Sequence, residues 1–434
     1  MRSYHDTVQY IANLRGGEID LRLHRVQQAL TLFDNPHKRY PAFHIAGTNG
    51  KGSTAAMLHS ILSAQGYRAG LYTSPHLVSF TERIRVGNEE ITRDEVVELA
   101  ELVETRTAEH GIQLTFFEFV TVMGLVYFAQ QKIDVALVEV GLGGRLDATN
   151  VVFPVAAVIT TISKDHEAYL GNDLLSIARE KGGIIKPDAP VVCGSLPEEA
   201  RALYQELAAA RGVPAYLLGE HFSVALNQEG KFNYRGLGWS FDDLSLALPG
   251  NFQRRNAAVA LATLEAAGSH FPVGEAAVRE GLNRVLWPGR LEVVSRQPQV
   301  ILDGAHNEEG IFNLVHEMES ALGTKKVKLL FGAMQDKNWN SMLRNLCAIA
   351  SEVVLTRVPM DRSAAPAQLA TAIGEKTPWS IVESPLQALR FLLSTAKPDD
   401  VILVTGSLYL LGEVRPYFST GDNIVATSLV HAPA

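Results

Sequence analysis

The residues best equipped for chemistry lie in Gly47-Thr48-Asn49-Gly50-Lys51-Gly52-Ser53. Three glycines around a lysine let backbone N–H groups turn toward one point, and Lys51 adds a full positive charge there. That is the chemistry of a phosphate cradle. The spelling departs from the strict phosphate loop G-x-x-x-x-G-K-[ST]. Ile45 stands at the first glycine position, and Gly52 separates Lys51 from Ser53. Oxygen and nitrogen donors recur downstream. Ser74, before Pro75-His76-Leu77, carries a hydroxyl that a hard cation such as Mg²⁺ accepts. Glu139 closes the apolar run Asp134-Val135-Ala136-Leu137-Val138. An acid there is costly unless paired or metal-bound, so Glu139 is either a Mg²⁺ ligand or the partner of Arg145. His166, in Asp165-His166-Glu167, offers a neutral imidazole nitrogen to a second metal. Thr115-Phe116-Phe117-Glu118 sets two aromatic rings beside a carboxylate. That group suits stacking on a flat heterocycle and hydrogen bonding to its edge; a helix start with core aromatics is the alternative.

These side chains need elements to hold them. Ala42 to Ala46 reads as a buried strand, and a helix with Ala55, Leu58, Ile61 and Leu62 on one face follows the glycine loop. Further strands are expected at Arg68–Thr73, Asp134–Val140 and Val155–Thr161, and an apolar helix at Val120–Phe128. Ser74, Glu139 and His166 then all follow strand carboxyl ends, where open parallel sheets place active residues. Residues 1–40 carry an amphipathic helical pattern, including Arg25-Val26, Ala29-Leu30 and Leu32-Phe33. Residues 195–245 hold little motif content. Leu248-Pro249-Gly250-Asn251 opens an alanine-rich helix in which Asn256 could serve as a cap. Trp287-Pro288-Gly289-Arg290 reads as a hinge. Beyond it, strands at 300–302, 327–331, 353–355 and 401–404 alternate with helices and imply a second α/β unit. Asp303-Gly304-Ala305-His306-Asn307 ends its first strand. The expected domains are residues 1–288 and 289–434.

The chain has 434 residues and a net charge of −8, with 47% hydrophobic and 20% charged residues. That length suggests two domains. The negative charge argues against a nucleic-acid binder, and a polyanionic ligand must be held by local positive features. Cys193 and Cys347 make no metal-ligand spacing, and no disulfide between them is expected. The polar start, Met1 to Tyr10, has no signal-like apolar region. No membrane span is expected, and cytoplasm is the expected compartment.

The string G-T-N-G-K-G-S resembles the ATP loop of the folylpolyglutamate synthase/dihydrofolate synthase family, relatives of the Mur peptide ligases. Ser74-Pro75-His76-Leu77-Val78-Ser79-Phe80-Thr81-Glu82-Arg83-Ile84-Arg85 resembles the family's second motif. Gly141-Leu142-Gly143-Gly144-Arg145-Leu146-Asp147-Ala148-Thr149-Asn150 follows Glu139-Val140, and the block from Asp165 to Pro187, Asp303 to Asn307, and Thr405 to Val414 resemble further segments of the family. Gly332, Asp336 and Lys337 also match. The resemblance runs through essentially the whole chain, in order. It implies an α/β protein: a P-loop, parallel-sheet, ATP-binding N-terminal domain and a smaller Rossmann-like α/β C-terminal domain. It assigns ATP to Gly47, Thr48, Asn49, Gly50, Lys51, Gly52, Ser53, Asn256, Arg290 and Asp303. It assigns the pterin or folate to Thr115, Phe116, Phe117, Glu118, Leu146, Asp147 and Ala148. L-glutamate falls to His306 and Ser407. Two Mg²⁺ ions fall to Ser74, Glu139, His166 and Lys181, with Lys181 carbamylated. Carbamylation requires a neutral amine. Free lysine titrates at about 10.4, so only roughly 0.04% is neutral at pH 7 without help from burial or nearby cations. The alternative is an unmodified Lys181 paired with a phosphate or carboxylate. The chain departs from the family at Arg22, in Ile19-Asp20-Leu21-Arg22-Leu23, where glycine is usual. Glu308 stands in place of proline, and Asn338 where an acid is common.

The implied reaction is ATP-dependent amide formation. A carboxylate is a poor electrophile, and phosphorylation by ATP activates it. The glutamate amine then attacks the acyl phosphate. Positioning and charge neutralisation dominate such phosphoryl transfer, and closure of a two-domain cleft would bring Arg290, Asp303 and His306 to the loop. Catalytic roles fall on Lys51, Lys181, His306 and Asp303. Dihydropteroate and reduced folates are the implied acceptors, making the chain a bifunctional dihydrofolate and folylpolyglutamate synthase. A monofunctional folylpolyglutamate synthase is the alternative. A Mur-type ligase should carry a uridine-nucleotide domain before the loop, and only 46 residues precede Gly47. A regulatory nucleotide binder should lack the metal ligands, and a simple kinase would release a phosphorylated product. The expected partners are small molecules, with neither nucleic acid nor membrane, and the family implies a monomer.

Overall fold

The computed structural model describes residues 2–14, 22–227 and 230–419, apart from the side chain of Ser269. The chain divides into two compact units. The first holds the described residues up to Ser163, then Glu167–Leu246 and Arg254–Val285. The second holds Lys164–His166, Ala247–Gln253 and the described residues from Leu286 on.

The first unit is built on an eight-stranded sheet. Its strands are β1 (Ala42–Ala46), β2 (Ala69–Tyr72), β3 (Ile84–Val86), β4 (Glu89–Glu90), β5 (Val135–Glu139), β6 (Pro154–Thr161), β7 (Val191–Ser195) and β8 (Ala215–Leu217). The order across the sheet is β4-β3-β2-β5-β1-β6-β7-β8. Pairing is parallel from β2 to β8, while β3 and β4 add an antiparallel edge. Every residue of β1 and β5 is buried. Their largely apolar runs, interrupted only by His44 and ending in Glu139, are what a parallel sheet covered on both faces requires. The expected strands all form, with ends shifted by a residue or so. Both β1 and β5 sit centrally and stop at the glycine loop and at Glu139, so sheet order alone places these two groups side by side.

A short antiparallel sheet, β9 (Ser223–Leu226), β10 (Phe232–Arg235) and β11 (Ser240–Leu244), fills much of the stretch that is poor in motifs. In the amphipathic N-terminal region the helices are Tyr4–Ala12 and His24–Thr31. Ile19, Asp20 and Leu21 lie outside the described residues; Arg22 does not. The helices bury Ile11, Val26, Ala29 and Leu30 in a core shared with Phe119, Met123 and Phe128.

The second unit carries a six-stranded sheet. Its strands are β12 (Glu292–Arg296), β13 (Gln299–Leu302), β14 (Val327–Phe331), β15 (Ala350–Leu355), β16 (Trp379–Ile381) and β17 (Val401–Thr405), ordered β12-β13-β17-β14-β15-β16. Only β12 is antiparallel to its neighbour. Ile301, Leu329, Phe331, Val353 and Leu403 join Ile311, Leu314 and Leu346 in its core. Among the described residues no helix is long and apolar enough to cross a membrane.

Candidate active site

The glycine loop is shorter than its spelling suggests. Helix begins at Lys51 and runs to Gln65, so Gly52 and Ser53 already belong to the first turn. Gly47 and Gly50 have φ of 145° and 86°. A Cβ on Gly47 would lie 1.9 Å from Thr160 Oγ1, and one on Gly50 2.6 Å from Asn256 Oδ1. Neither position admits a side chain. The end of β6 clamps the loop. Thr48 N–H donates to the Thr161 carbonyl at 2.8 Å, Asn49 N–H to Thr161 Oγ1 at 3.0 Å, and Thr160 Oγ1 to the Asn49 carbonyl at 2.6 Å. Glycine at the N-cap means that no side chain caps this helix. The N-terminal amides and the positive end of the dipole are therefore presented to an anion. Asn256 lies inside the helix Asn251–Ala267, so the capping role considered for it is corrected: its buried side chain abuts Gly50.

Two ammonium groups converge on this loop. Lys51 Nζ donates to the carbonyls of Gly47 and Thr48 at 3.1 and 3.0 Å. Lys181, buried in the helix Leu174–Gly182, donates to the same Gly47 carbonyl at 2.9 Å. The carboxylate of Glu139 is 5% exposed and accepts Ser74 N–H at 3.2 Å. Arg145, considered as its partner, instead pairs with Glu180 at 2.8 Å. Ser74 and Glu139 thus form a compact pair of hard oxygen donors at the ends of adjacent strands. Among the described residues no group of three or more His, Cys, Asp or Glu side chains gathers as a metal site. A Mg²⁺ held by one or two protein oxygens and by substrate phosphates needs no such group.

The aromatic stretch folds differently from the expectation. The helix starts at Phe116, four residues before the expected start, with Thr115 as N-cap and Glu118 completing a capping box. Glu118 is 2% exposed and is held by Arg25, whose Nη2 donates to Oε1 at 2.8 Å, and by Thr115 N–H at 2.8 Å. Its carboxylate is therefore engaged by the protein, not poised at a ligand edge as the sequence suggested. Phe116 lies under the Arg83 guanidinium, 5.2 Å from ring centre to Cζ, and Phe117 packs on Gly141 and Tyr72. Asp147 is similarly occupied. It accepts Leu142 N–H at 2.8 Å and Thr149 N–H at 3.0 Å, as well as the Thr149 hydroxyl, and so braces the glycine turn after β5. Burial raises its pKa against those stabilising bonds. Thr149 Oγ1 is in turn 2.9 Å from Nε2 of His44, buried in β1. With the hydroxyl donating to Asp147, His44 Nε2–H is the donor to Thr149. Leu146 is partly exposed and Ala148 buried beside this brace.

The second unit has its own polar cluster. Asp303 is buried at the end of β13, its two oxygens accepting Leu291 N–H and Ala305 N–H, each at 2.9 Å. Burial raises its pKa, and Arg290 opposes that. Gly304 packs against Arg290; a Cβ there would be 2.3 Å from Nη1. His306 Nδ1 donates to the Gly304 carbonyl at 2.9 Å, which leaves Nε2 as the lone-pair nitrogen of the neutral ring. Burial, then Lys337, pushes its pKa down. Nε2 is 3.8 Å from Asp165 Oδ2, which accepts Asn307 Nδ2 at 3.1 Å, while Oδ1 takes Lys337 Nζ. Burial alone would raise Asp165; His306, then Lys337 and His166, hold it well below the usual carboxylate range. Thr405 and Gly406 bond the Ala305 carbonyl, so Ser407 sits beside the His306 strand end, where its hydroxyl accepts Tyr409 N–H at 3.2 Å. His166 belongs to this cluster by sequence and contact, with Nε2 3.9 Å from Asp165 Oδ1 and φ of 52°. Asp165 and Asn307, quoted in the sequence only within their motifs, and Lys337, noted only as a family match, are the members that received no role; nothing in the sequence signalled that they meet.

Two family models match the chain: "Mur ligase middle domain" over residues 45–264 and "Mur ligase, glutamate ligase domain" over residues 289–408. The dihydrofolate synthase/folylpolyglutamate synthase of Bacillus subtilis is 35% identical over 428 residues, covering 95% of this chain and 98% of the relative. The Escherichia coli FolC structure in complex with DHPP and ADP superposes with a TM-score of 0.89 at 34% identity, covering 96% of this chain and 98% of the other. The bifunctional enzyme of Yersinia pestis complexed with AMPPNP and Mn ion gives 0.87 at 33% identity, covering 96% and 98%. Read together with the glycine loop, the Ser74–Glu139 pair and the polar strand end at Asp303, these matches show that the chain belongs to the dihydrofolate synthase/folylpolyglutamate synthase family of Mur ligases.

Proposed function

We propose that this protein is an ATP-dependent ligase that joins L-glutamate to dihydropteroate and to reduced folates through an acyl phosphate. The observation that carries the reading is the glycine-capped helix at Lys51, with Lys51 and Lys181 both turned onto the Gly47 carbonyl. A triphosphate entering this loop replaces that carbonyl as the partner of Lys51. The helix amides and Lys51 then stabilise charge on the transferred phosphoryl group. Asn256, packed on Gly50, and Arg290 and Asp303 in the second unit are assigned to the nucleotide.

The oxygen donors of Ser74 and Glu139 fit Mg²⁺, which supplies charge neutralisation at the phosphates. A second Mg²⁺ is assigned to His166 and carbamylated Lys181. Carbamylation joins the neutral Lys181 amine to CO₂ with loss of one proton. It removes one of two like charges sharing a single carbonyl and turns a donor into an anionic oxygen ligand. His306, with Nε2 as its basic nitrogen, is assigned to the incoming glutamate amine, whose proton must leave as the amide forms. Ser407 is assigned to the glutamate itself. Thr115, Phe116, Phe117 and Leu146 to Ala148 are assigned to the pterin, with Glu118 and Asp147 shaping that wall through the bonds described above. Residues 1–288 and 289–434 are read as the ATP- and pterin-binding domain and the glutamate-ligase domain. The free cysteines Cys193 and Cys347 suit a reducing cytoplasm, where the chain is read as a monomer.

Glutamate-dependent phosphate release from ATP tests the reading, with dihydropteroate and tetrahydrofolate in separate reactions. Release with both supports the bifunctional ligase. Release with tetrahydrofolate alone restricts it to polyglutamate extension, and release with neither, in the presence of Mg²⁺ and bicarbonate, overturns it.

A further inference from the structure

The turn at residues 289–292, which leads into β12, is held in place by side chains. Gly289 and Leu291 both lie in the left-handed region, with φ of 73° and 47°. Glycine takes that conformation freely. A bulky residue there is an outlier that persists only where its surroundings fix it. Leu291 is 1% exposed, and its N–H donates to Asp303 Oδ2 at 2.9 Å. Gly289 is tied on both sides. Its N–H donates to Glu292 Oε2 at 2.8 Å. Its carbonyl accepts Gly304 N–H at 2.8 Å and Arg290 Nη1 at 3.0 Å. The Arg290 guanidinium therefore rests on a backbone that Glu292 helps to fix.

Glu292 is held in turn by a residue more than a hundred positions away in the chain. Arg415 is the C-cap of the helix Leu408–Val414, with its own N–H on the Leu411 carbonyl at 2.8 Å. Its Nη2 donates to Glu292 Oε1 at 2.8 Å, and its Nε lies 3.1 Å from both carboxylate oxygens. The carboxylate thus takes a guanidinium fork as well as the Gly289 amide. The two side chains are 22% and 19% exposed. A pair this open to water adds modestly to stability. What a planar fork on a carboxylate supplies is direction.

We propose that Arg415 is a positioning residue for the nucleotide: through Glu292 it fixes Gly289, and Gly289 seats the guanidinium of Arg290. The inference rests on the assignment of Arg290 to the nucleotide given above. Misplacing a binding group by about 1 Å can cost ~10²-fold in rate, so a residue acting through its neighbours has a measurable effect.

The test is equilibrium binding of ADP with Mg²⁺ to the full chain, in a double-mutant cycle. Arg290→Ala should raise Kd about tenfold or more, the range of a charge-assisted hydrogen bond. Arg415→Met keeps an unbranched stem without the fork and should raise Kd about threefold or more, within the range of one net hydrogen bond. Added to Arg290→Ala, it should change Kd by less than about twofold, because its effect runs through Arg290. Arg415→Lys restores a cation but not the fork, and should recover only part of the loss. It carries the test by the same criteria if the methionine variant does not fold, as judged by its melting curve. A folded Arg415 variant that binds ADP as the unmodified chain does, or one whose loss multiplies in full with that of Arg290→Ala, overturns the proposal and leaves the nucleotide reading standing. Unchanged ADP binding in Arg290→Ala removes the assignment of Arg290, and the positioning role with it.

Discussion

Lys51 and Lys181 donate to one carbonyl oxygen, that of Gly47, at 3.1 and 2.9 Å. One comes from the helix after the loop and the other from a helix 130 residues later in the chain, and the loop is the point where they meet. Two like charges on one acceptor form a receptor for anions, and in the reading proposed above phosphate would engage one while the other becomes a carbamate.

Replacement of Lys51 by alanine is therefore expected to lower kcat by at least ~10²-fold, the usual loss when a group that stabilises transferred charge is removed. Lys181→Ala should lose activity to a similar order, and Lys181→Arg should not recover it, because a guanidinium cannot be carbamylated. Intact-protein mass spectrometry in bicarbonate should show one added CO₂ that is absent from both Lys181 variants. Full activity in Lys181→Arg would refute the role given to that lysine.

The acid side of the pH profile should report His306. Its pKa is lowered by burial first and by Lys337 next, so its protonation lies below the ordinary imidazole value of about 6.5. The acid limb of kcat/KM for glutamate should then fall below pH 6.5. Lys337→Met removes a cation that disfavours protonation and leaves Asp165, which favours it. The limb should move to higher pH, and a shift in the opposite direction would exclude His306 as the titrating group.

His44 makes the first unit sensitive to acid. Burial, with a smaller effect of Lys186, holds its pKa at about 3, against about 6.5 in an unfolded chain. Between those values the unfolded state binds the extra proton. The contribution of His44 to stability is complete above pH 6.5 and is lost as pH falls toward 3, at about 1.4 kcal/mol per pH unit. Denaturant unfolding at several pH values should show this decline, and His44→Gln, which keeps a donor for Thr149, should flatten the slope by about that amount.

Arg25 and Glu118 form a buried pair, with side chains 10% and 3% exposed. Arg25→Ala leaves the carboxylate buried and should cost ~3–5 kcal/mol, more than the double replacement Arg25→Met with Glu118→Leu. Urea unfolding of the three proteins checks the order.

The departures at Glu308 and Asn338 compensate each other. Asn338 Nδ2 donates to Glu308 Oε1 at 2.7 Å, and Ser341 Oγ to Oε2 at 2.8 Å. An acid at 338 would face the Glu308 carboxylate. Asn338→Asp should destabilise the second unit by ~0.5–1 kcal/mol, and Glu308→Gln in the same chain should restore most of it. A melting series of the single and double variants checks the coupling.

Local order left a clear trace in the sequence. Short, mostly apolar runs marked β1, β5, β14 and β17, because strands covered on both faces hold few polar residues. The glycines at 47 and 50 marked the phosphate loop, because their backbone angles and neighbours exclude a Cβ. The three-stranded sheet β9–β11 left no such trace, since short, half-exposed strands mix polar and apolar residues freely. Partnership was the second thing hidden. Nothing in the spacing of Glu118 announced Arg25, 93 residues away, or in Asp147 the relay through Thr149 to His44. The residue types by themselves pointed to a phosphate cradle, an oxygen-rich pair suited to a hard cation and a polar strand end. Which carboxylates remain for ligand and which are spent on the protein was decided only in three dimensions, because a buried charge takes whatever partner the packing of distant elements brings to it.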